Sequence, residues 1–272
     1  MVKQKCLIAL ILLCSVWVIP LQLKAQSPDQ WWLHGSRTDS VKKELLFHAG
    51  VKYSYSRMKG SISGVTHLGD ITLVERKGVF TNFSAYGIDK RDMNLGGTQN
   101  TAYKTTSQYF TDYIDADLSK VIFGQAGFIW ERDDILLLQN RYSIYTGMGI
   151  NILLFKKLKL KSLVAMGRIN QDYTIPVDNL DVVKEPFIAF YCKHNVVFTI
   201  TKSVTFLGQV YYYTDIQAKG RYRYGSNLNL QVNVAKHFNL VVGYNFKYDR
   251  EQILFDSPPG NSTQTIGIEV IL

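Results

Sequence analysis

Residues 221–234 read RYRYGSNLNLQVNV. Arg221, Arg223, Gly225, Asn227, Asn229, Gln231 and Asn233 occupy alternate positions, and Tyr222, Tyr224, Ser226, Leu228, Leu230, Val232 and Val234 fill those between. Successive strand side chains point to opposite faces, so this run predicts a strand with one polar and one apolar side. Which side meets water decides the fold. A soluble sandwich buries the apolar face against a second sheet, whereas an outer-membrane barrel turns it to lipid and lines its lumen with the polar one.

The pattern repeats along the chain. Alternating segments are expected at 45–57, 62–75, 79–89, 101–114, 120–132, 139–153, 158–171, 187–200, 203–216, 221–235, 237–250 and 262–272. Twelve is an even number, as a single-chain barrel needs when both ends lie on one side. Helical periodicity is absent apart from a short stretch near Val41 to Leu46. Every second connection is brief (ERKG, DADLSK, FKKLK, TKS, AKHF), while several of the others are long, as in DKRDMNLGGTQN, NQDYTIPVDNLDVVKE and REQILFDSPPGNS. Periplasmic turns and outer loops produce that asymmetry, and a soluble up-and-down sheet has no reason to keep one end tight. The fold class is therefore all-β, a transmembrane antiparallel up-and-down barrel of about 12 strands spanning 45–272 and located in the cell outer membrane.

The faces follow strand by strand. Leu240, Val242, Tyr244, Phe246 and Tyr248 point outward opposite Val241, Gly243, Asn245, Lys247 and Asp249. Tyr142, Ile144, Met148, Ile150 and Ile152 oppose Arg141, Ser143, Gly147 and Asn151, and Ile188, Phe190, Cys192, Val196 and Phe198 oppose Lys193, Asn195 and Thr199. Strands 62–75 and 158–171 alternate less cleanly. Tyr142, Trp130, Tyr222, Tyr224, Tyr244 and Tyr248 suit an aromatic girdle. The closing TQTIGIEVIL sends Ile266, Ile268, Val270 and Leu272 outward, which resembles the signal read by the barrel-assembly machinery, with Leu in place of the usual Phe. Arg141, Lys193, Arg221, Arg223 and Lys247 are expected in the lumen, with Glu131, Asp112, Asp249 and Glu269 as partners. Twelve strands fall between eight, where side chains fill the interior, and sixteen, where a channel stands open; pairing across the lumen favours a mostly closed one.

Residues 1–25, MVKQKCLIALILLCSVWVIPLQLKA, have the basic start, apolar core and small final residue of a secretory signal peptide, with cleavage after Ala25. A lipoprotein signal at Cys14 is disfavoured by the bulky Leu13. Residues 26–44, which include Trp31 and Trp32, form a short periplasmic N-terminal segment. Removal of Lys3, Lys5 and Lys24 lowers the formal charge from +9 to +6, and the remaining bases are too scattered for nucleic acid. Cys6 and Cys14 leave with the leader, so Cys192 has no internal disulfide partner and no cysteine metal site is available.

The second half resembles the YdiY-like family of salt-induced outer-membrane proteins, a family of unknown function. The likeness rests on FIWERDDILLLQNRYSIYTGMGINIL, YTDIQAKGRYRYGSNLNLQVNVAKHFNLVVGYNFKYD and SPPGNSTQTIGIEVIL. It extends over roughly 45–272, more faintly before 120, and implies an outer-membrane barrel without supplying active-site residues.

Chemistry is sparse. Of His34, His48, His67, His194 and His237, only His67 and His194 lie mid-strand, both on outward faces, and no GxSxG or HExxH accompanies them. The expectation is a non-enzymatic protein without cofactor or metal, with a structural or envelope-stress role or a narrow pore for small solutes. The alternative is a membrane-embedded enzyme acting on lipid or lipopolysaccharide. Expected partners are outer-membrane lipids, lipopolysaccharide, the barrel-assembly machinery and small solutes.

Overall fold

A strand with two chemically different faces also has two edges of unpaired N–H and C=O groups, and a meander of such strands satisfies all of them only by closing on itself. The computed structural model describes residues 46–58, 62–95, 101–134, 138–155, 157–173, 186–217, 221–235, 237–250 and 260–271. Within them the chain forms twelve strands: β1 (Leu46–Met58), β2 (Ile62–Lys77), β3 (Phe80–Leu95), β4 (Thr101–Asp117), β5 (Ile122–Asp133), β6 (Leu138–Phe155), β7 (Leu158–Tyr173), β8 (Phe187–Thr199), β9 (Val204–Asp215), β10 (Tyr222–Ala235), β11 (Phe238–Asp249) and β12 (Gly260–Ile271). Each pairs antiparallel with its neighbours in sequence, and β1 with β12 completes a closed barrel. The seam is short: Gly50 to Tyr55 face Ile271 to Ile266, whereas β1 and β2 pair along the whole of Leu46 to Met58.

One end of the barrel is tight. β2 passes to β3 through Gly78 and Val79, and Gly78 takes φ 62°, a conformation that glycine adopts without strain. The turns at 118–121 and 200–203 share one device. Ser119 Oγ accepts from the backbone N–H groups of Val121 and Ile122 at 3.2 and 2.9 Å, and Thr201 Oγ1 accepts from those of Ser203 and Val204 at 3.2 and 3.1 Å. Small hydroxyls close such turns because they mimic a backbone acceptor.

The predicted and observed strands coincide to within a few residues except at β3. The segment DKRDMNL, expected as loop, continues the strand to Leu95, and the register with β4 runs on to Leu95↔Thr101. Asp89 and Arg91 share the inner face there and pair with each other at 2.5 Å, which satisfies both charges without leaving the strand. The proposed leader 1–25, the segment 26–44 with its tryptophans, and most of the helical stretch near Val41 lie outside the described residues; Leu46 opens β1.

The outer surface is apolar. Ile144 is 66 %, Met148 58 %, Ile268 55 % and Val242 48 % exposed, in company with Ile71, Ile114, Val164, Met166 and Ile266. A water-soluble monomer seldom carries such a continuous apolar surface, and a lipid-facing belt requires it. The buried side chains include Arg141, Arg223, Asp115, Lys161, Asp249, Gln171, Gln231 and Glu269. Polar groups thus fill the interior, the reverse of a soluble protein. The interior is not uniform, however. Tyr113, Phe123, Tyr145, Leu163 and Ala165 make an apolar cluster on the β4–β7 side, joined by Phe83, Ile129 and Tyr191. Two inner tyrosines lie directly over glycines of the neighbouring strand. A Cβ on Gly87 would stand 2.1 Å from the Tyr109 ring, and one on Gly225 2.6 Å from the Tyr211 hydroxyl.

Candidate functional site

Strand ends determine what the lumen can hold. Near the long-loop end, the inner faces of β5, β6, β10 and β11 carry Glu131, Arg141, Arg223 and Asp249. β5 and β6 stand across the ring from β10 and β11, so contacts among these residues cross the lumen. Arg223 Nη1 donates to Glu131 Oε2 at 2.8 Å. Arg141 Nη2 donates to Asp249 Oδ2 at 3.3 Å, and Arg141 Nη1 lies 3.5 Å from Glu131 Oε2. Arg223 Nε lies 4.0 Å from the same Asp249 oxygen. Arg141 is held from behind, as its Nε donates to Gln171 Oε1 at 2.9 Å and its Nη2 to the Tyr173 hydroxyl at 3.4 Å. The two guanidinium groups and two carboxylates balance in charge, and with Arg141 only 1 % exposed the network bridges the barrel at this level, beside a cleft of about 60 Å³ lined by Asp89, Arg91, Glu131 and Arg223. The register breaks between Glu131–Arg141 and Asp133–Leu138, where β6 carries an extra residue against both of its neighbours; bulges re-aim side chains in this way.

A second polar layer lies toward the tight end. Lys161 pairs with Asp115, Gln125 Nε2 donates to Asp115 Oδ1 at 2.5 Å, and the Tyr145 hydroxyl donates to Gln125 Oε1 at 3.1 Å. Glu269 Oε2 accepts from Gln231 Nε2 at 2.9 Å and Asn239 Nδ2 at 2.8 Å. Both layers are buried and internally bonded, as buried charges must be. Between them lies a chamber of about 370 Å³. Lys52, Lys193 and Lys247 line it, as do Glu131 and Arg223 from the network.

Each lumen residue expected from the sequence has a definite place. Arg141, Arg223, Glu131 and Asp249 meet in the network. Lys193 and Lys247 line the chamber, the former with its Nζ 5.2 Å from the centre of the Tyr113 ring. Arg221 sits at the rim, 3.6 Å from Asp215 and over the Phe187 ring. Asp112 is a correction. Ile114 beside it on the same face of β4 is half-exposed on the outside, while Tyr113 and Asp115 are buried inside. The Asp112 carboxylate accepts from the Ser84 hydroxyl at 2.6 Å rather than from a lumen cation, and that local partner satisfies its charge outside the lumen. Tyr244 is outward but mid-strand, paired with Leu228 and Gln264, so it does not belong to the girdle at the rim. There Tyr222, Tyr224 and Tyr248 stack at 4.8 to 6.0 Å, and Trp130 Nε1 donates to Asn140 Oδ1 at 3.1 Å.

The two outward histidines have partners that the alternation did not reveal. His67 Nδ1 is 2.7 Å from the Tyr53 hydroxyl. His194 Nδ1 is 2.9 Å from Ser162 Oγ, and its Nε2 is 3.3 Å from Cys192 Sγ. Ser162 and His194 face each other in the β7–β8 register, a signal legible only once the hairpin is aligned. Of the second polar layer, Glu269 was expected in the lumen, whereas the Asp115–Lys161–Gln125 group was missed. Asp115 shares a face with Tyr113 and Asp117, and Lys161 shares one with Lys159, Leu163, Ala165 and Ile169, so charged and apolar residues mix on both faces. No group of three or more His, Cys, Asp or Glu side chains suited to a metal occurs among the described residues.

Comparison with solved structures places this fold among outer-membrane barrels. The NanC porin is 11 % identical with a TM-score of 0.50, covering 82 % of this chain and 100 % of its own. An outer membrane channel from Pseudomonas putida F1 is 9 % identical with a TM-score of 0.51, covering 87 % of this chain and 100 % of its own. At these identities the likeness is one of fold. No curated protein matches the sequence. The family described as "Protein of unknown function, DUF481" matches residues 51–253, from β1 through the whole of β11, and the YdiY-like family that the strands resemble is part of it. The chain belongs to the DUF481 family.

Proposed function

We propose that this chain is a bacterial outer-membrane protein without enzymatic activity, a narrow pore for small solutes held nearly shut by its own ion pairs. One observation carries the reading: the Arg141–Glu131–Arg223–Asp249 network joins opposite walls at one level, above a chamber large enough for a small molecule. In this orientation the tight turns face the periplasm and the long connections face outward. The apolar belt meets phospholipid and lipopolysaccharide, and β12, the closing strand, presents the segment for the barrel-assembly machinery. A membrane fraction that retains the protein, with heat-modifiable gel migration, supports the location; recovery from the soluble periplasm refutes it. In planar bilayers the wild type is expected to give small, discrete conductance steps, and Arg141→Ala with Arg223→Ala larger ones. Silence from both points instead to a structural role in the envelope.

A second reading rests on the Ser162–His194 contact at the outer face. A hydroxyl within hydrogen-bond reach of an imidazole is the pairing that a lipid acyl hydrolase uses. Release of fatty acid from outer-membrane lipid, lost in both Ser162→Ala and His194→Ala, would establish it over the pore.

A further inference from the structure

We infer that the chamber binds one small hydroxylated carboxylate of the sugar-acid class. The inference rests on the reading of the lumen as a solute passage and names what the passage takes. Its two walls differ. On one, Phe83 stacks on Tyr113 at 4.8 Å between ring centres, and Tyr145 lies 5.4 Å from Tyr191. These two ring pairs make this side of the chamber largely aromatic. On the opposite wall, beside Tyr211 and Tyr213, stand Gln209, Asn227, Asn229, Asn245 and Thr265, amides and a hydroxyl able both to donate and to accept. Aromatic rings facing a group of amides match a sugar ring, whose C–H face is apolar and whose rim is hydroxylated.

The charge is supplied by Lys52, Lys193 and Lys247. Among the described residues none of the three has a carboxylate within 4.0 Å. Lys52 Nζ donates to Asn229 Oδ1 at 3.3 Å. The carboxylates that line the same space are engaged elsewhere: Glu131 holds Arg223, and Asp70 accepts from the Tyr109 hydroxyl at 2.7 Å. An excess of ammonium groups therefore faces the chamber, and a ligand carboxylate would complete their hydrogen bonding. The volume of about 370 Å³ is at the small end of ligand sites, which span about 300–1,000 Å³ and so admits one ring rather than a chain of them.

The test is equilibrium dialysis of the detergent-solubilised barrel against D-glucuronate, D-glucose and acetate. Glucuronate is expected to bind at least about tenfold more tightly than either of the others, with that margin lost in the Lys52→Gln/Lys193→Gln/Lys247→Gln variant. Lys193→Gln alone serves if the triple variant loses its heat-modifiable migration; it is expected to weaken glucuronate and leave glucose unchanged. Equal binding of acetate means that the chamber reads charge alone, and equal binding of glucose means that it reads the ring alone. Either result, no binding of glucuronate, or unchanged binding in the lysine variants overturns the inference. Dialysis needs no conductance: a barrel that binds glucuronate but stays silent in bilayers refutes the pore, and one that conducts but binds nothing refutes only the site.

Discussion

Replacing Arg141 tests the interior most directly. Arg141→Gln removes a guanidinium that is 1 % exposed, with its bond to Gln171 at 2.9 Å and its longer contacts to Asp249 at 3.3 Å and Tyr173 at 3.4 Å. Asp249 then keeps Arg223 as a more distant cation, its Nε 4.0 Å away. Removal of one partner from a buried ion pair costs about 3–5 kcal/mol, because the other charge stays out of water. Asp249→Asn removes the opposite charge and is expected to cost a similar amount. The double variant leaves Arg223 paired with Glu131, so its cost is expected to fall short of the sum by about 1–3 kcal/mol. Urea unfolding of the liposome-reconstituted barrel, followed by tryptophan fluorescence and by heat-modifiable migration, gives all three values. A single-variant cost under about 1 kcal/mol, as for solvated surface pairs, or additivity within about 0.5 kcal/mol would refute the cross-lumen network.

Three further outcomes are expected. Val242→Arg, in the middle of the outer belt, destabilises the barrel by about 2–4 kcal/mol in the same assay if lipid surrounds it, and by no more than about 0.5 kcal/mol if water does. Lys161→Met strands the Asp115 carboxylate in the second layer and costs about 3–5 kcal/mol, most of it recovered in Lys161→Met/Asp115→Leu. Gly87→Ala drives a methyl group into the Tyr109 ring and costs about 1–3 kcal/mol, while Tyr109→Ala in the same chain makes the two changes cost less than their sum.

The sequence showed the barrel most clearly where inner and outer faces differ most. In β10 and β11, Asn227, Asn229, Gln231, Asn245 and Lys247 contrast with Leu228, Leu230, Val242 and Phe246, so period-two alternation is plain and both facings match the structure. β7 was hard to read for a physical reason. Leu163, Ala165 and Ile169 point inward against Tyr145, Phe187 and Ala189, so both faces of that strand are apolar. The loop before Thr101 was overestimated because the polar run DKRDMN has no apolar alternation to mark a strand until Met93, whereas Asp89 and Arg91 neutralise each other on one face of β3. Asp112 was misplaced by the reverse argument, since a carboxylate was assumed to belong inside. The cross-lumen pairs join residues about a hundred positions apart, 92 for Arg223–Glu131 and 108 for Arg141–Asp249, and only ring closure brings them together. Their membership was legible from strand faces; their geometry was not.

The seam between β1 and β12 carries a consequence for how such a chain matures. It pairs Gly50 to Tyr55 with Ile266 to Ile271, and both strands are at the extremes of the barrel. Every other hairpin joins neighbours and can zip as soon as its turn forms, whereas this junction must bring together segments separated by nearly the entire chain, at the greatest loop-closure entropy. The seam is therefore the last joint to close and, with the shortest ladder of hydrogen bonds, the first to part. If the sheet ever opens sideways, during insertion or to let a bound molecule slip out into the lipid, it opens there, beside Lys52.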